Sequence, residues 1–211
     1  MSECYQPAEG ELSRGTVVVV GGRGEAAVLY SGFATKLCAA GYTVNVFGDV
    51  TDDLSSASNA ISTILADNAF PGPKVLIGSD TGALLALRLG MQPELGIDGI
   101  VVAGVPASDG PASRRLVLVD SESASDPSVP ALLRAVEPHR ISAPVLALHG
   151  QGDSVAPVDP ALEIYRAIPH SEIVMIDSGR HHILDGMTDR PAVTPIVAFL
   201  ERVGYVGLES G

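Results

Sequence analysis

The chain has 211 residues, of which 46% are hydrophobic and 18% are charged, and its net charge at neutral pH is −12. A chain of this length suits one domain with a sizeable core, and its composition excludes an intrinsically disordered protein. The excess of acidic residues argues against nonspecific binding to nucleic acid or to an anionic membrane. We therefore expect a globular protein whose partner is a small molecule.

Targeting and cysteine patterns point to the cytoplasm. Residues 1–14 have neither the basic region nor the apolar stretch of a signal peptide, and no run approaches the roughly 18 apolar residues of a membrane span. Cys4 lies in a polar segment, whereas Cys38 falls in an apolar helical pattern and is predicted to be a small core residue. Their spacing suggests neither a disulfide framework nor a metal site.

Short apolar runs alternate with helical patterns along most of the chain. Runs of this kind, rich in β-branched residues, are typical of strands buried on both faces of a parallel sheet. The predicted strands are Thr16–Val20, Tyr42–Phe47, Lys74–Gly78, Gly99–Gly104, Pro144–His149 and Glu172–Ile176. The predicted helices are about Ala26–Ala40, Ser56–Asn68, Thr81–Leu89, Val129–Val136, Pro160–Ile168 and Ala192–Val203.

This alternation predicts right-handed crossovers and a doubly wound, mostly parallel sheet of about six strands. Residues 15–204 should form the single domain, between an amino-terminal tail at 1–14 and a carboxy-terminal tail at 205–211. The segment 107–140 interrupts the rhythm but is too short for a large cap domain. In such a sheet the functional site lies at the carboxyl ends of the strands.

The junction Gly78-Ser79-Asp80-Thr81-Gly82 joins the third predicted strand to its helix. Its two glycines permit a tight, strained turn that would hold Asp80 at the rim of the sheet. The alternative is that Asp80 simply caps the following helix.

Two further strand ends carry residues suited to acid–base chemistry. Asp153 follows a strand within a glycine-rich turn, where it could orient a histidine or merely organise the turn. His181 and His182 follow the last strand, where a histidine could be a general base. Tandem histidines can also be an ordinary loop pair, and no third ligand at a suggestive spacing supports a metal site.

The order Asp80, Asp153, His181 is the nucleophile, acid and histidine order of one known catalytic arrangement. Over nearly its whole length the sequence resembles the α/β-hydrolase superfamily, in its lidless branch of small carboxylesterases, thioesterases and dienelactone-hydrolase-like proteins. The matching segments are Val17-Val18-Val19-Val20-Gly21-Gly22, Gly41-Tyr42-Thr43-Val44, the turn at 78–82, His149-Gly150-Gln151-Gly152-Asp153 and Gly179-Arg180-His181.

The resemblance implies specific roles for these residues. Asp80 would be the nucleophile, Asp153 the acid and His181 the base, with His182 and Asp109 as the runner-up base and acid. The backbone N–H groups of Thr81 and of Gly22 or Arg23 would form the oxyanion hole. No metal or organic cofactor is required.

The sequence departs from most of the superfamily by carrying Asp80 where serine is usual, and Ser79 stands one position too early to replace it. A carboxylate that attacks an ester carbonyl gives an anhydride, which is uphill, whereas attack on a carbon bearing a halide or epoxide gives an ordinary ester. This favours displacement at carbon, as in haloalkane dehalogenases and epoxide hydrolases. However, the chain has no Trp to hold a halide and no cap domain to supply Tyr hydroxyls. Arg23 could bind an anion at the site, or could be a solvated loop residue.

Two other hypotheses remain open. Asp80 could be an acid, a base or a structural residue in a lyase, an isomerase, a cyclase or a ligand-binding protein. Alternatively, Gly22, Gly24 and Ala27 fit a dinucleotide-binding pattern after the first predicted strand, and Asp49 follows the second. That reading would make the protein an oxidoreductase, but it leaves the other three motifs unexplained.

Overall fold

The computed structural model describes residues 2–107, 136–177, 181–184 and 192–209. The predicted helix at 129–136 falls outside these residues except for Val136, and so does Asp109.

The described residues form one seven-stranded sheet. Its strands are β1 (Ser2–Tyr5), β2 (Thr16–Val20), β3 (Thr43–Phe47), β4 (Lys74–Ser79), β5 (Gly99–Ala103), β6 (Val145–Gly150) and β7 (Ser171–Ile176). Their order in the sheet is β1-β3-β2-β4-β5-β6-β7, and every neighbouring pair is parallel except β1 with β3. The predicted fold class, a doubly wound and mostly parallel sheet, is confirmed.

The two predicted tails are partly ordered elements. Ser2–Tyr5 pairs antiparallel with β3 at the edge of the sheet, so residues 1–14 are not simply a tail. Three of the four β1 residues are exposed, so this strand carries no apolar pattern that sequence reasoning could detect. At the other end, the last helix continues to Glu209 instead of stopping near Val203.

Within the described residues, five α-helices cover the two faces of the sheet. They are α1 (Ser31–Ala39), α2 (Leu54–Ala66), α3 (Asp80–Gly90), α4 (Val158–Ala167) and α5 (Val193–Glu209). The first predicted helix divides into a 3-10 turn, Ala27–Tyr30, followed by α1. None of the helices in the described ranges is long and apolar enough to cross a membrane.

Alternate residues of the parallel strands enter opposite cores. In β2, Val18 and Val20 join the cluster that includes α2, α3 and α4, whereas Val17 and Val19 join the cluster that includes α1 and α5. All five residues of β2 are buried, which explains why the run Thr16–Val20 shows no polar alternation. A sheet fixed in this way on both faces holds the loops after β2, β4, β6 and β7 along one edge.

Candidate active site

Asp80 lies at a strained turn between β4 and α3. Its φ is +46°, and it is the non-glycine residue with positive φ among the described residues. Both flanking glycines are required: a Cβ on Gly78 would lie 2.4 Å from the Gly82 carbonyl oxygen, and one on Gly82 would lie 2.3 Å from that of Val20. Strain of this kind persists where the surrounding packing fixes it, and it is concentrated at functional sites.

The Asp80 carboxylate binds Arg23 on both oxygens. Nε of Arg23 donates to Oδ2 at 2.8 Å and Nη2 donates to Oδ1 at 3.1 Å, while the Arg23 backbone N–H donates to Oδ2 at 3.2 Å. The N-cap position of α3 is Ser79 and Asp80 is the first residue of the helix, so Asp80 is not the cap that the alternative expected. Arg23 faces the site with its side chain 24% exposed, so it is not a solvated loop residue.

Asp153 reaches the same place from the loop after β6. Its Oδ1 accepts from the backbone N–H groups of Val155 at 2.9 Å and Ala156 at 2.8 Å, which organises the turn. Its Oδ2 contacts Nδ1 of His181 at 2.9 Å. The turn-forming and histidine-orienting interpretations of Asp153 are therefore compatible, since each uses a different oxygen.

His181 connects the two carboxylates. Its Nδ1 contacts Asp153, and its Nε2 lies 3.4 Å from Oδ1 of Asp80. Gly104, at φ +57° after β5, makes room for the ring, because a Cβ there would lie 3.1 Å from Nδ1 of His181. The structure thus brings together Asp80, Asp153 and His181, which come from three different strand ends.

Charges in this site reinforce one another. Burial opposes the charged imidazole, but the hydrogen bonds and negative charges of Asp153 and Asp80 prevail and raise the pKa of His181 to about 9. Burial also opposes the charged form of Asp80 and on its own would raise the pKa of that carboxyl. The hydrogen bonds and positive charges of His181 and Arg23 prevail and hold the pKa of Asp80 well below its usual range. The resting site therefore holds an imidazolium between two carboxylates at neutral pH.

The predicted oxyanion donors are only partly placed as expected. Thr81 is buried in the first turn of α3, and the Arg23 N–H already points at Asp80. The N–H of Gly22 donates instead to the side chain of Glu25, so Gly22 is not available as an oxyanion donor. His182 also contacts Glu25, at 2.7 Å through Nδ1, which leaves His181 as the histidine that contacts Asp80 and Asp153.

A buried chain of hydrogen bonds that the sequence did not reveal supports the Asp153 loop. The Tyr165 hydroxyl accepts from the Val105 N–H at 3.2 Å and lies 2.9 Å from Nδ1 of His149. Nε2 of His149 lies 2.9 Å from the Ala156 carbonyl oxygen, next to the turn that Asp153 organises. Burial lowers the pKa of His149 despite the nearby Asp153, so a neutral ring accepts from Tyr165 and donates to Ala156.

The loop after β2 is poorly suited to a dinucleotide. The helix does not begin at the glycines, since a 3-10 turn separates them from α1. Asp49 is engaged within the loop, where its carboxylate accepts from the N–H groups of Gly24 at 2.7 Å and Thr51 at 2.9 Å. Within the described ranges, no three His, Cys, Asp or Glu side chains are arranged to hold a metal ion.

Comparisons with known proteins agree with this architecture. No family model matches the sequence, and no curated protein matches it. Solved structures do: a monoacylglycerol lipase from Paleococcus ferrophilus has a TM-score of 0.72 at 19% identity, covering 96% of this chain and 98% of that one. The esterase domain of a Rhodothermus marinus protein has a TM-score of 0.69 at 17% identity, covering 95% and 92%. MenH from S. aureus has a TM-score of 0.69 at 15% identity, covering 96% and 98%.

The chain therefore has the α/β-hydrolase fold, and no large cap domain is evident among the residues that the structure describes. At these identities the likeness establishes the fold and not the reaction. The chemistry has to be argued from the residues of the site.

Proposed function

We propose that this protein is an α/β-hydrolase-type enzyme in which Asp80, His181 and Asp153 act on a small organic substrate by displacement at carbon. The observation that carries the proposal is the placement of His181, 2.9 Å from Asp153 through Nδ1 and 3.4 Å from Asp80 through Nε2. Asp80 also occupies the strained turn at which this fold presents a nucleophile.

The first step transfers one negative charge from the Asp80 carboxylate to the leaving group. Oδ1 of Asp80 attacks a saturated carbon, the bond from that carbon to its leaving group breaks, and the leaving group departs with the electron pair as an anion. The product on the enzyme is a neutral alkyl ester of Asp80. Oδ2 stays hydrogen-bonded to the Arg23 N–H, the position from which that oxygen is later stabilised as an oxyanion.

Arg23 is suited to receive the leaving anion. Its guanidinium neutralises the Asp80 carboxylate in the resting site, and esterification removes that carboxylate charge. The displaced anion then takes the place of that charge beside the guanidinium, which is 24% exposed. Arg23 would thus stabilise the leaving group, which Trp or Tyr side chains would otherwise have to do.

The second step needs His181 as a base, and the first step creates that base. Once Asp80 is a neutral ester, His181 loses one of the two carboxylates that raise its pKa, so its proton can leave to solvent. The neutral Nε2 takes a proton from water as that water attacks the ester carbonyl carbon. The alcohol leaves with the original Asp80 oxygen and the proton that His181 took from water. The second water proton then passes from the new Asp80 carboxyl to His181, which regenerates the carboxylate and the resting imidazolium.

Heavy-oxygen labelling tests this sequence of bonds. We expect a single turnover in H₂¹⁸O, with enzyme in excess over a haloalkane, halocarboxylate or epoxide, to place ¹⁸O in the peptide that contains Asp80 and none in the alcohol. The His181→Gln variant should instead accumulate an ester on Asp80, detectable by mass spectrometry. Label in the product alone would show that water attacks the substrate directly, and the nucleophile assignment would be wrong.

One observation favours a second candidate, in which Asp80 is an acid, a base or a structural residue of a non-hydrolytic enzyme. Both of its oxygens are engaged by Arg23 in the resting site, which reduces their nucleophilicity. If this second function is right, none of the haloalkane, halocarboxylate and epoxide substrates gives an ester on Asp80 in His181→Gln. Turnover of a different substrate that survives His181→Gln but disappears in Asp80→Asn would support it.

A further inference from the structure

Glu25 is a buried carboxylate that the proposed chemistry does not use. It is 3% exposed and lies in the loop after β2. Its side chain accepts hydrogen bonds from the Gly22 N–H and from the Tyr30 hydroxyl. It also contacts Nδ1 of His182 at 2.7 Å and the Ser79 hydroxyl at 3.5 Å. A carboxylate buried with this many donors is costly to remove and is held in one orientation.

The contact with Gly22 determines which amide faces Asp80. Because Glu25 takes the Gly22 N–H, that donor is turned away from the site. The backbone bond from the Glu25 N–H to the Gly22 carbonyl oxygen, 3.1 Å, closes a tight turn that presents the Arg23 N–H to Asp80. A Cβ on Gly22 would lie 2.7 Å from Cβ of Asp80 and 3.0 Å from Oε2 of Glu25, so this glycine separates the two carboxylate side chains.

The contact with His182 joins two loops that are distant in sequence. His182 immediately follows His181, and its ring packs edge-on against that of His181 with the centroids 5.3 Å apart. Its side chain is 54% exposed, whereas the Glu25 side chain it contacts is 4% exposed. The exposed His182, next to His181, is therefore bound to the buried Glu25 in the loop that carries Arg23.

We infer that Glu25 and His182 are positioning residues of the site. Glu25 selects the Arg23 N–H as the donor to Asp80, and through His182 it holds the His181 ring with Nε2 facing Asp80. Its effect on turnover rests on the proposed function, whereas its effect on the geometry does not. The test therefore has one arm that requires no substrate.

Glu25→Gln and His182→Ala are the variants for both arms. Gln has a single acceptor oxygen, so at least one of the donors now shared by Glu25 loses its partner. By NMR we expect the Arg23 amide proton to move upfield in Glu25→Gln, and the pKa of His181 to fall in both variants. With a substrate in hand, kcat should fall by about 10- to 100-fold without a matching rise in KM, since a small misplacement of catalytic groups acts on the chemical step.

Three controls separate positioning from simple stabilisation. His182→Gln, whose amide can still donate to Glu25, should recover most of the loss seen in His182→Ala. The double variant Glu25→Gln with His182→Ala should lose no more activity than the more damaging single variant, because both substitutions break the same Glu25–His182 contact. His139→Ala removes an exposed histidine that lies 3.6 Å from Glu137 and should change nothing at the site.

The outcomes distinguish this inference from the proposed function. If both variants lower the melting temperature but leave the Arg23 amide shift and the His181 pKa as in the parent, Glu25 and His182 only stabilise the loops and the inference is wrong. If both NMR signals move while the parent turns over no substrate, the inference stands and the proposed function fails. Should Glu25→Gln not fold, His182→Ala at the exposed end of the contact still decides the question.

Discussion

Replacing Gly104 with alanine should lower the free energy of unfolding and displace the His181 ring, and the size of both effects follows from the structure. At φ +57° an alanine carries a backbone penalty of about 1 kcal/mol, because its Cβ crowds the following carbonyl. The new Cβ would also lie 3.1 Å from both Nδ1 and the carbonyl oxygen of His181, so the ring has to shift by a few tenths of an ångström. We expect about 2 kcal/mol of lost stability in total, a fall of about 4–8 °C in melting temperature for a domain of this size, measured by calorimetry. The shifted ring should also weaken its contact with Asp153 and lower the pKa of His181.

Gly96 provides a matched control for the backbone penalty. Its φ of +59° is nearly the same, but a Cβ there would have no atom within 4 Å. Gly96→Ala should therefore lose only about 1 kcal/mol and leave the titration of His181 unchanged. If the two variants lose the same stability and neither moves the pKa of His181, Gly104 merely satisfies its backbone conformation and the spatial argument is refuted.

Two other measurements probe the charges and hydrogen bonds that support the site. Tyr165→Phe removes a buried hydroxyl and leaves the Val105 N–H and Nδ1 of His149 without that partner. We expect the free energy of unfolding, measured in urea, to fall by about 2–3 kcal/mol. The Asp153–His181 contact should be preserved in the NMR spectrum. The pKa of His181 is raised from 6.5 to about 9, so its stabilising contribution should be fully present below pH 6.5 and disappear as the pH rises through 9. We expect about 3 kcal/mol between those limits, as a slope in the free energy of unfolding that His181→Gln lacks. An unchanged slope in that variant would contradict the assignment.

The fold could be predicted because burial on both faces leaves a strong trace in sequence. β2 reads Thr16–Val20, with every residue buried and four of them valine, so its length and β-branched content suffice. The positions of Asp80, Asp153 and His181 follow from the same reasoning, since parallel strands bring their carboxyl ends to one edge. Edge strand β1 could not be found in this way, because its pairing with β3 buries almost none of its side chains.

Side-chain partners could not be predicted, because they depend on contacts between distant segments. Glu25 and His182 are 157 positions apart, and nothing in either local pattern indicates that they meet. Arg23 illustrates the same limit: the sequence left it between an anion-binding residue and a solvated one, and only its pairing with Asp80 decides. The choice of the Arg23 amide over that of Gly22 likewise follows from a side chain, Glu25, that sequence reasoning did not consider.

In the proposed reaction His181 is an imidazolium at rest and a base during turnover, and the charges at the centre of the site account for both states. Arg23 and protonated His181 balance the carboxylates of Asp80 and Asp153, so the resting arrangement of these four groups is neutral. Esterification of Asp80 removes one of these two negative charges, so a protonated His181 is less well stabilised in the largely buried site. Loss of the His181 proton offsets that change, and so does a leaving anion that stays beside Arg23. Departure of the anion therefore favours the neutral histidine, and the proposed reaction prepares its own general base at the moment when water has to be activated.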